Sequence, residues 1–130
     1  WEMSTIGHPL SDLVNLITPF SLVNKTRIEP LSVFSSAEIK CLPRVEELIK
    51  LYAGSTGWDP SPDLKWGIAF SIFRMTAICQ GIASRYALRQ ASSAEAKKAA
   101  EARHPAAKLA WEHVLENIKA KEDQPMKALL

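Results

Sequence analysis

Cysteine is scarce in this sequence, and the common motifs of a self-contained active site or metal site are missing. The 130 residues include two cysteines, Cys41 and Cys79, and no CxxC motif. We therefore predict two reduced core thiols in an intracellular, cytoplasmic protein, with a single disulfide as the alternative. There is no GxSxG or HExxH motif, and the spacing of His104 and His113 gives little support to a zinc site. The residues thus predict no self-sufficient active site within the chain.

The chain also lacks a marked excess of charge of either sign. Its 16 Lys and Arg and 14 Asp and Glu give a formal net charge of +2, while 47% of the residues are hydrophobic. This composition fits a single soluble domain or subdomain over residues 1–130. It gives no general signal for a nucleic-acid or membrane-surface partner.

One segment, Trp66 to Ser84, is apolar and long enough to be tested as a membrane span. Arg74 lies near its middle, and Gln80 adds a second polar group. A central charge costs a lone span roughly 2.5 to 3.5 kcal/mol. The segment is therefore predicted to be a buried core helix, and no membrane partner is expected.

The stretch Gly54-Ser55-Thr56-Gly57 has the composition of a phosphate cradle. It lacks the lysine of a P-loop and follows a predicted helix instead of preceding one. We interpret it as a helix end.

Hydrophobic periodicity predicts an all-α chain of four or so helices around one long buried helix at about residues 62–89, the longest element. Along one stripe of that helix, Gly67, Ser71 and Gly81 would let another helix approach closely. The turn before it offers Ser61 or Asp63 as the helix cap.

The other segments are less regular. Residues 20–35 keep no period and are predicted to be irregular, with a strand fragment at 32–34 as an option. The remaining predicted segments are a helix at 9–18 that stops at Pro19, a helix at 43–57, an Ala-rich linker or frayed helix at 91–104 with a break before Pro105, and an amphipathic helix at 104–121.

Arg74 and Arg85 lie within about 20° of each other around the long helix at roughly 100° per residue. One interpretation is a basic stripe for an anionic ligand. The other is that Arg74, amid apolar neighbours, pairs with a buried carboxylate, for which we choose Asp12. We favour the ion pair for Arg74 and leave both interpretations open for Arg85.

Three segments resemble motifs of the aminoglycoside phosphotransferase and choline kinase superfamily. WEMSTIGHPLSDLVNL is similar to I-D-W-E followed by G-D-P-x-x-D-L-A, LIKLYAGSTGWDP to Y-x-x-x-T-G, and FSIFRMTAICQGIASRY to F-R-x-A-x-I-x-Q-G-I-x-x-R. The set is most similar to the kinase-like domains found alone or fused to acyl-CoA dehydrogenases. The matching residues are Trp1, Glu2, Gly7, Pro9, Asp12, Leu13, Tyr52, Thr56, Gly57, Phe73, Arg74, Ala77, Ile78, Gln80, Gly81, Ile82 and Arg85.

The resemblance implies a small-molecule phosphotransferase that moves the γ-phosphoryl group of ATP to a hydroxyl of a small acceptor with Mg²⁺. In that family the catalytic base belongs to an H-G-D-x-x-x-x-N loop, and the main metal-binding Asp precedes the Trp of D-W-E. Both would come before Trp1, as would the nucleotide-binding lobe, which would be the partner of this chain. The chain would then be a helical fragment of the carboxyl-terminal lobe, one wall of the acceptor groove, inactive and without bound ATP or Mg²⁺ by itself.

Individual residues take roles from the resemblance. Glu2 matches the Glu of D-W-E and is a candidate ligand of the second metal, with a structural role as the alternative. Asp12 is expected to brace the catalytic loop through its backbone amides. Trp66 and Arg74 are candidate acceptor-binding residues, with core positions as the alternative. His8 replaces the usual Asp before Pro, which removes a good helix cap worth roughly 1 kcal/mol, with a neutral imidazole as a weaker acceptor in its place.

The competing hypothesis is a non-enzymatic helical module that binds a partner or an apolar ligand. It rests on the apolar surface that a small helical fragment would leave uncovered, through which the chain would also self-associate. Within the kinase hypothesis the acceptor stays open among sugars, choline-like alcohols, aminoglycosides and hydroxyacyl thioesters. Likeness to the dehydrogenase-fused domains favours the last class.

Overall fold

The computed structural model describes residues 7–22, 28 and 43–122. Over these residues the regular structure consists of four α-helices and one short 3₁₀ turn, without a strand, which confirms the predicted all-α class. The predicted strand fragment at 32–34 lies outside the described residues. In chain order the elements are α1 (Pro9–Ser21), α2 (Val45–Thr56), the 3₁₀ turn (Ser61–Asp63), α3 (Leu64–Ala87) and α4 (Ala96–Glu122).

Helices α3 and α4 form an antiparallel hairpin. Near the connecting turn, Ile82 lies beside Ala96, and at the open end Trp66 lies beside Trp111. The centre of the core lies where this hairpin meets the end of α1. Its buried members are Leu22, Ile72, Ala106 and Ala110, with Ile28, Ile68, Met75 and Leu109 packed against them.

Helix α1 packs against α3 through an apolar stripe at the spacing the sequence predicts. Leu10, Leu13, Val14 and Ile17 are all buried. Contact is closest at Gly67, where an added Cβ would lie 2.5 Å from Cγ1 of Val14. The prediction that small residues of α3 admit a neighbouring helix is therefore confirmed at Gly67.

At Gly81 the same prediction is wrong. This glycine is exposed, and an added Cβ would meet nothing within 4 Å. The reason is geometric, because Gly81 lies near the end of α3, beyond the part that α1 covers.

Two helices continue through a proline at which the sequence predicts a stop. Helix α1 runs past Pro19. Helix α4 begins at Ala96, within the predicted linker or frayed helix at 91–104, and runs through Pro105 without the predicted break. Around Pro105, both Ala102 and Ala106 are buried. An interior proline costs about 3 kcal/mol, and packing of the residues on both sides of it offsets that cost.

Helix α3 has the predicted position but is not a buried helix. Its buried residues are Gly67, Ala69, Ile72 and Cys79, whereas Trp66, Phe70 and Phe73 are 49% to 61% exposed. Helices α1 and α4 cover only part of its circumference. It is also shorter than α4, with 24 residues against 27. Together with the 3₁₀ turn, α3 is long and apolar enough to cross a membrane by length and composition alone.

Replacing Gly67 with Ala is expected to lower the free energy of unfolding by about 1–3 kcal/mol, because Val14 is 1% exposed and has no room to move. The matched control is Gly81→Ala on the same helix, which should raise the free energy of unfolding by up to about 1 kcal/mol through helix propensity. Urea unfolding followed by circular dichroism measures both. Equal effects of the two substitutions would contradict the close helix contact.

Candidate functional site

The amino terminus of α1 is capped by His8. Its Nδ1 accepts a hydrogen bond from the backbone N–H of Leu10 at 3.2 Å, and its ring meets Trp58 edge to face with centroids 5.4 Å apart. The loss of the Asp cap is therefore made up by the alternative that the sequence left open, an imidazole that accepts the hydrogen bond. An imidazole nitrogen without a proton replaces the carboxylate as acceptor, and the ring adds an aromatic contact that Asp lacks.

The Thr56-Gly57 pair ends α2 and positions Trp58. Gly57 has a left-handed backbone with φ 72°, which confirms that residues 54–57 form a helix end. The Thr56 hydroxyl donates to the carbonyl of Tyr52 at 2.8 Å and accepts from the N–H of Trp58 at 3.3 Å. The rings of Tyr52 and Trp58 also meet edge to face, with centroids 6.2 Å apart.

These contacts join the start of α1 and the end of α2 around the ring of Trp58. We call the set of His8, Tyr52 and Trp58 the aromatic junction. Each of its two ring pairs is worth about 0.5–1.5 kcal/mol beyond its buried area. The junction therefore holds the start of α1 against the end of α2.

A shallow pocket of about 350 Å³ lies next to the junction, between the start of α1 and the start of α3. Its lining includes His8, Ser11 and Trp66, so one predicted acceptor-binding residue borders it. Trp66 is 55% exposed, which excludes the alternative of a core position.

Arg74, the second predicted acceptor-binding residue, faces α1 instead of this pocket. Its guanidinium donates to Oδ1 of Asn15 and, at 3.5 Å, to Oγ of Ser11. The predicted ion pair with Asp12 is wrong, because the guanidinium reaches Ser11 and Asn15, which lie one turn apart on the same side of α1, instead of the neighbouring Asp12. Arg74 is only half-buried, so neutral partners and water suffice.

The turn before α3 is stabilised by a side chain that the sequence reasoning missed. Oδ1 of Asp59 accepts a hydrogen bond from the backbone N–H of Ser61 at 2.9 Å, and Pro60 between them is buried. Hydrogen bonds from the hydroxyl and the N–H of Ser61 lower the pKa of Asp59 below its usual value. The sequence predicted a side-chain cap from Ser61 or Asp63 for the following helix. Neither side chain makes that hydrogen bond.

The other predicted site residues fall elsewhere. Glu2 and Cys41 lie outside the described residues. Cys79 is a free, buried thiol as predicted, and burial raises the pKa of that thiol. Arg85 borders a pocket of about 400 Å³ at the turn between α3 and α4, together with Glu95. In the described part of the chain, no three His, Cys, Asp or Glu residues are grouped so that they could hold a metal ion.

Helices α3 and α4 each expose a row of large apolar side chains, and we call the two rows together the apolar face. It borders a groove of about 530 Å³. On the amphipathic segment predicted at 104–121, Trp111, Leu115 and Ile118 are 38% to 60% exposed, because alanines take the inner positions of α4. The members of the face are Trp66, Phe70 and Phe73 from α3, and Trp111, Leu115 and Ile118 from α4.

Comparison with known proteins gives one group of relatives. The chain is 34% identical to Acyl-CoA dehydrogenase family member 10 of Mus musculus over 114 residues, which is 86% of this chain and 10% of that protein. It is 39% identical to Acyl-CoA dehydrogenase family member 11 of Homo sapiens over 94 residues, 72% of this chain and 12% of that protein. The chain is a homologue of one segment of these proteins.

The chain thus spans about a tenth of the length of family members 10 and 11. The relatives named family member 11 include one from Gallus gallus, which is 38% identical over 97 residues. No family model matches the chain. No solved structure matches it either.

Substituting Trp58 with Ala is expected to lower the free energy of unfolding by about 1–3 kcal/mol, because both ring pairs of the aromatic junction are lost. Tyr86→Ala, at an exposed aromatic residue near the end of α3, is the control and should change it by less than about 1 kcal/mol. Thermal and urea unfolding measure the difference. Similar losses in the two variants would show that the junction does not stabilise the fold.

Acidification is expected to weaken the turn at Asp59. Since the pKa is lowered in the folded state, the stabilising contribution is fully present above the unfolded value of about 3.9 and is lost as pH falls through the folded value. Urea midpoints of the wild type and Asp59→Asn, measured between about pH 6 and about pH 2.5, should converge at the acidic end. A constant difference between them at every pH would contradict this role.

Proposed function

We propose that this chain is part of the carboxyl-terminal lobe of a small-molecule phosphotransferase related to aminoglycoside phosphotransferases and choline kinases. The whole enzyme transfers the γ-phosphoryl group of ATP to a hydroxyl of a small acceptor with Mg²⁺. The catalytic base, the main metal-binding Asp and the nucleotide lobe come from polypeptide outside residues 1–130.

One observation carries the proposal: the motif segments that resemble this superfamily are joined to one another in the fold. The segment around Pro9 contacts the residue that follows the Y-x-x-x-T-G stretch, through His8 and Trp58. It contacts the F-R-x-A helix through Arg74, Ser11 and Asn15. Contact between the segments that carry the resembling residues is expected if the chain retains the structural unit to which those motifs belong.

The relatives supply a second, independent support. They are named acyl-CoA dehydrogenase family members, and the motif set is most similar to kinase-like domains that include those fused to acyl-CoA dehydrogenases. The same names favour a hydroxyacyl thioester as the acceptor. We propose this class above sugars, choline-like alcohols and aminoglycosides.

The proposal gives the described residues auxiliary roles in the reaction. Asp12 is exposed on the first turn of α1, where its carboxylate is available to accept hydrogen bonds from backbone amides of a neighbouring loop. Trp66 lines the pocket next to the aromatic junction, where it would contact the acceptor. Arg74 acts indirectly, since it fixes α1 against α3. Phosphoryl transfer depends on such positioning together with charge neutralisation by metal and lysine.

The test compares two lengths of the protein. With ATP, Mg²⁺ and a panel of hydroxyl acceptors that includes a hydroxyacyl thioester, residues 1–130 alone should give no turnover. A longer protein that also contains the polypeptide before residue 1 should transfer phosphate, and its sequence should contain H-G-D-x-x-x-x-N followed by I-D. Turnover by residues 1–130, or an unrelated preceding sequence, contradicts the proposal.

In the longer protein, Asp12→Asn should lower kcat on the order of a hundredfold. The neutral amide accepts weaker hydrogen bonds from the backbone of the catalytic loop, so the catalytic base is held less accurately against the acceptor hydroxyl. Glu46→Gln, at an exposed carboxylate in the first turn of α2, is the matched control and should leave kcat unchanged. Loss of activity in both variants, or in neither, rules out the bracing role.

A second candidate function, a non-enzymatic helical binding module, is favoured by the apolar face. Apolar side chains of this size on two adjacent helices are typical of interaction surfaces. An unrelated sequence before residue 1 would favour this candidate over the phosphotransferase.

A further inference from the structure

The apolar face has a regular geometry that the proposed function does not use. Its members follow helical spacing on each helix: Trp66, Phe70 and Phe73 on α3 repeat at i, i+4 and i+7, and so do Trp111, Leu115 and Ile118 on α4. Trp66, Phe70 and Phe73 of α3 line the groove between the two helices together with Trp111 of α4, whereas Leu115 and Ile118 continue the row of α4 outside it.

The size of the face matches one side of a protein–protein interface. Enclosed aromatic side chains bury about 150–250 Å² each. The four aromatic members are 49% to 61% exposed, so together they offer roughly 400 Å² of apolar area. A standard interface buries about 800 Å² per partner, of which about 60% is apolar. The four rings therefore supply most of the apolar area that one side requires.

Charges beside the face favour a partner with the same surface. On α4, Lys108 lies 3.9 Å from Glu112, and the exposed Glu116 and Lys119 follow further along the helix. Because both signs of charge are present, two copies of this surface meet without an excess of like charge. A lipid-binding helical face instead carries an excess of Lys and Arg around its apolar residues.

We propose that two copies of this chain associate through the apolar face. Helices α3 and α4 of one copy pack against α3 and α4 of the other in a four-helix arrangement around a two-fold axis. Phe73 and Trp111 both line the groove. In such an interface both residues become buried in each of the two copies. This proposal does not depend on the phosphotransferase function, because it concerns the chain alone.

Sedimentation equilibrium of residues 1–130 at micromolar concentrations tests the proposal. The expected result is a reversible equilibrium between the 14.4 kDa chain and a species of twice that mass. Trp111→Glu and Phe73→Glu should each raise the dissociation constant on the order of a hundredfold, since a charge enters the interface from both copies. Leu51→Glu is the control, because Leu51 is 65% exposed on α2, away from the face, and should leave the constant unchanged.

Three results would overturn the proposal. The first is a monomer throughout the concentration range, whether or not it binds phosphatidylcholine vesicles; vesicle binding would identify lipid as the occupant. The second is open-ended aggregation instead of a closed species of twice the mass. The third is a dimer that Leu51→Glu disrupts as strongly as Trp111→Glu. Circular dichroism of each variant establishes that the helical fold is kept, and the wild-type mass alone decides the question if a variant does not fold.

Discussion

The close contact between Gly67 and Val14 is the constraint on which the other contacts of the described structure depend. It sets the distance between α1 and α3, since any side chain larger than hydrogen at residue 67 would enter the buried stripe of α1. Arg74 lies two turns further along the same side of α3, so at this distance its guanidinium reaches Ser11 and Asn15. The start of α1 is thereby directed to Trp58, where His8 completes the aromatic junction.

Small residues also set the distance between α3 and α4, on the other side of α3. Alanines form the buried positions of α4, and their size lets two long helices pack closely over most of their length. The consequence is that the large apolar residues of both helices are displaced to the flank of the hairpin. The apolar face thus follows from the packing that stabilises the hairpin, and the scaffold and the interaction surface arise from one sequence pattern.

The sequence predicted well where large apolar residues repeat. The stripe of Leu10, Val14 and Ile17 predicted a buried face of α1, and Gly57 predicted the end of α2. It predicted poorly where alanine carries the packing, because the segment around Ala96 and Ala100 has the composition of a solvated helix although both residues are buried. The partner of Arg74 was missed because charge complementarity suggested Asp12. Ser11, the residue directly before Asp12 on α1, is the one that faces Arg74.

Helix α3 is expected to be the most stable helix, because α1 holds it on one side and α4 on the other. Helix α2 has no fully buried residue and is attached mainly through the aromatic junction. Native-state hydrogen exchange tests this directly. Amides near Ile72 on α3 and Val14 on α1 should exchange only through global unfolding, and amides near Leu48 on α2 should exchange faster, through local opening. Exchange from α2 as slow as that from α3 would contradict the account.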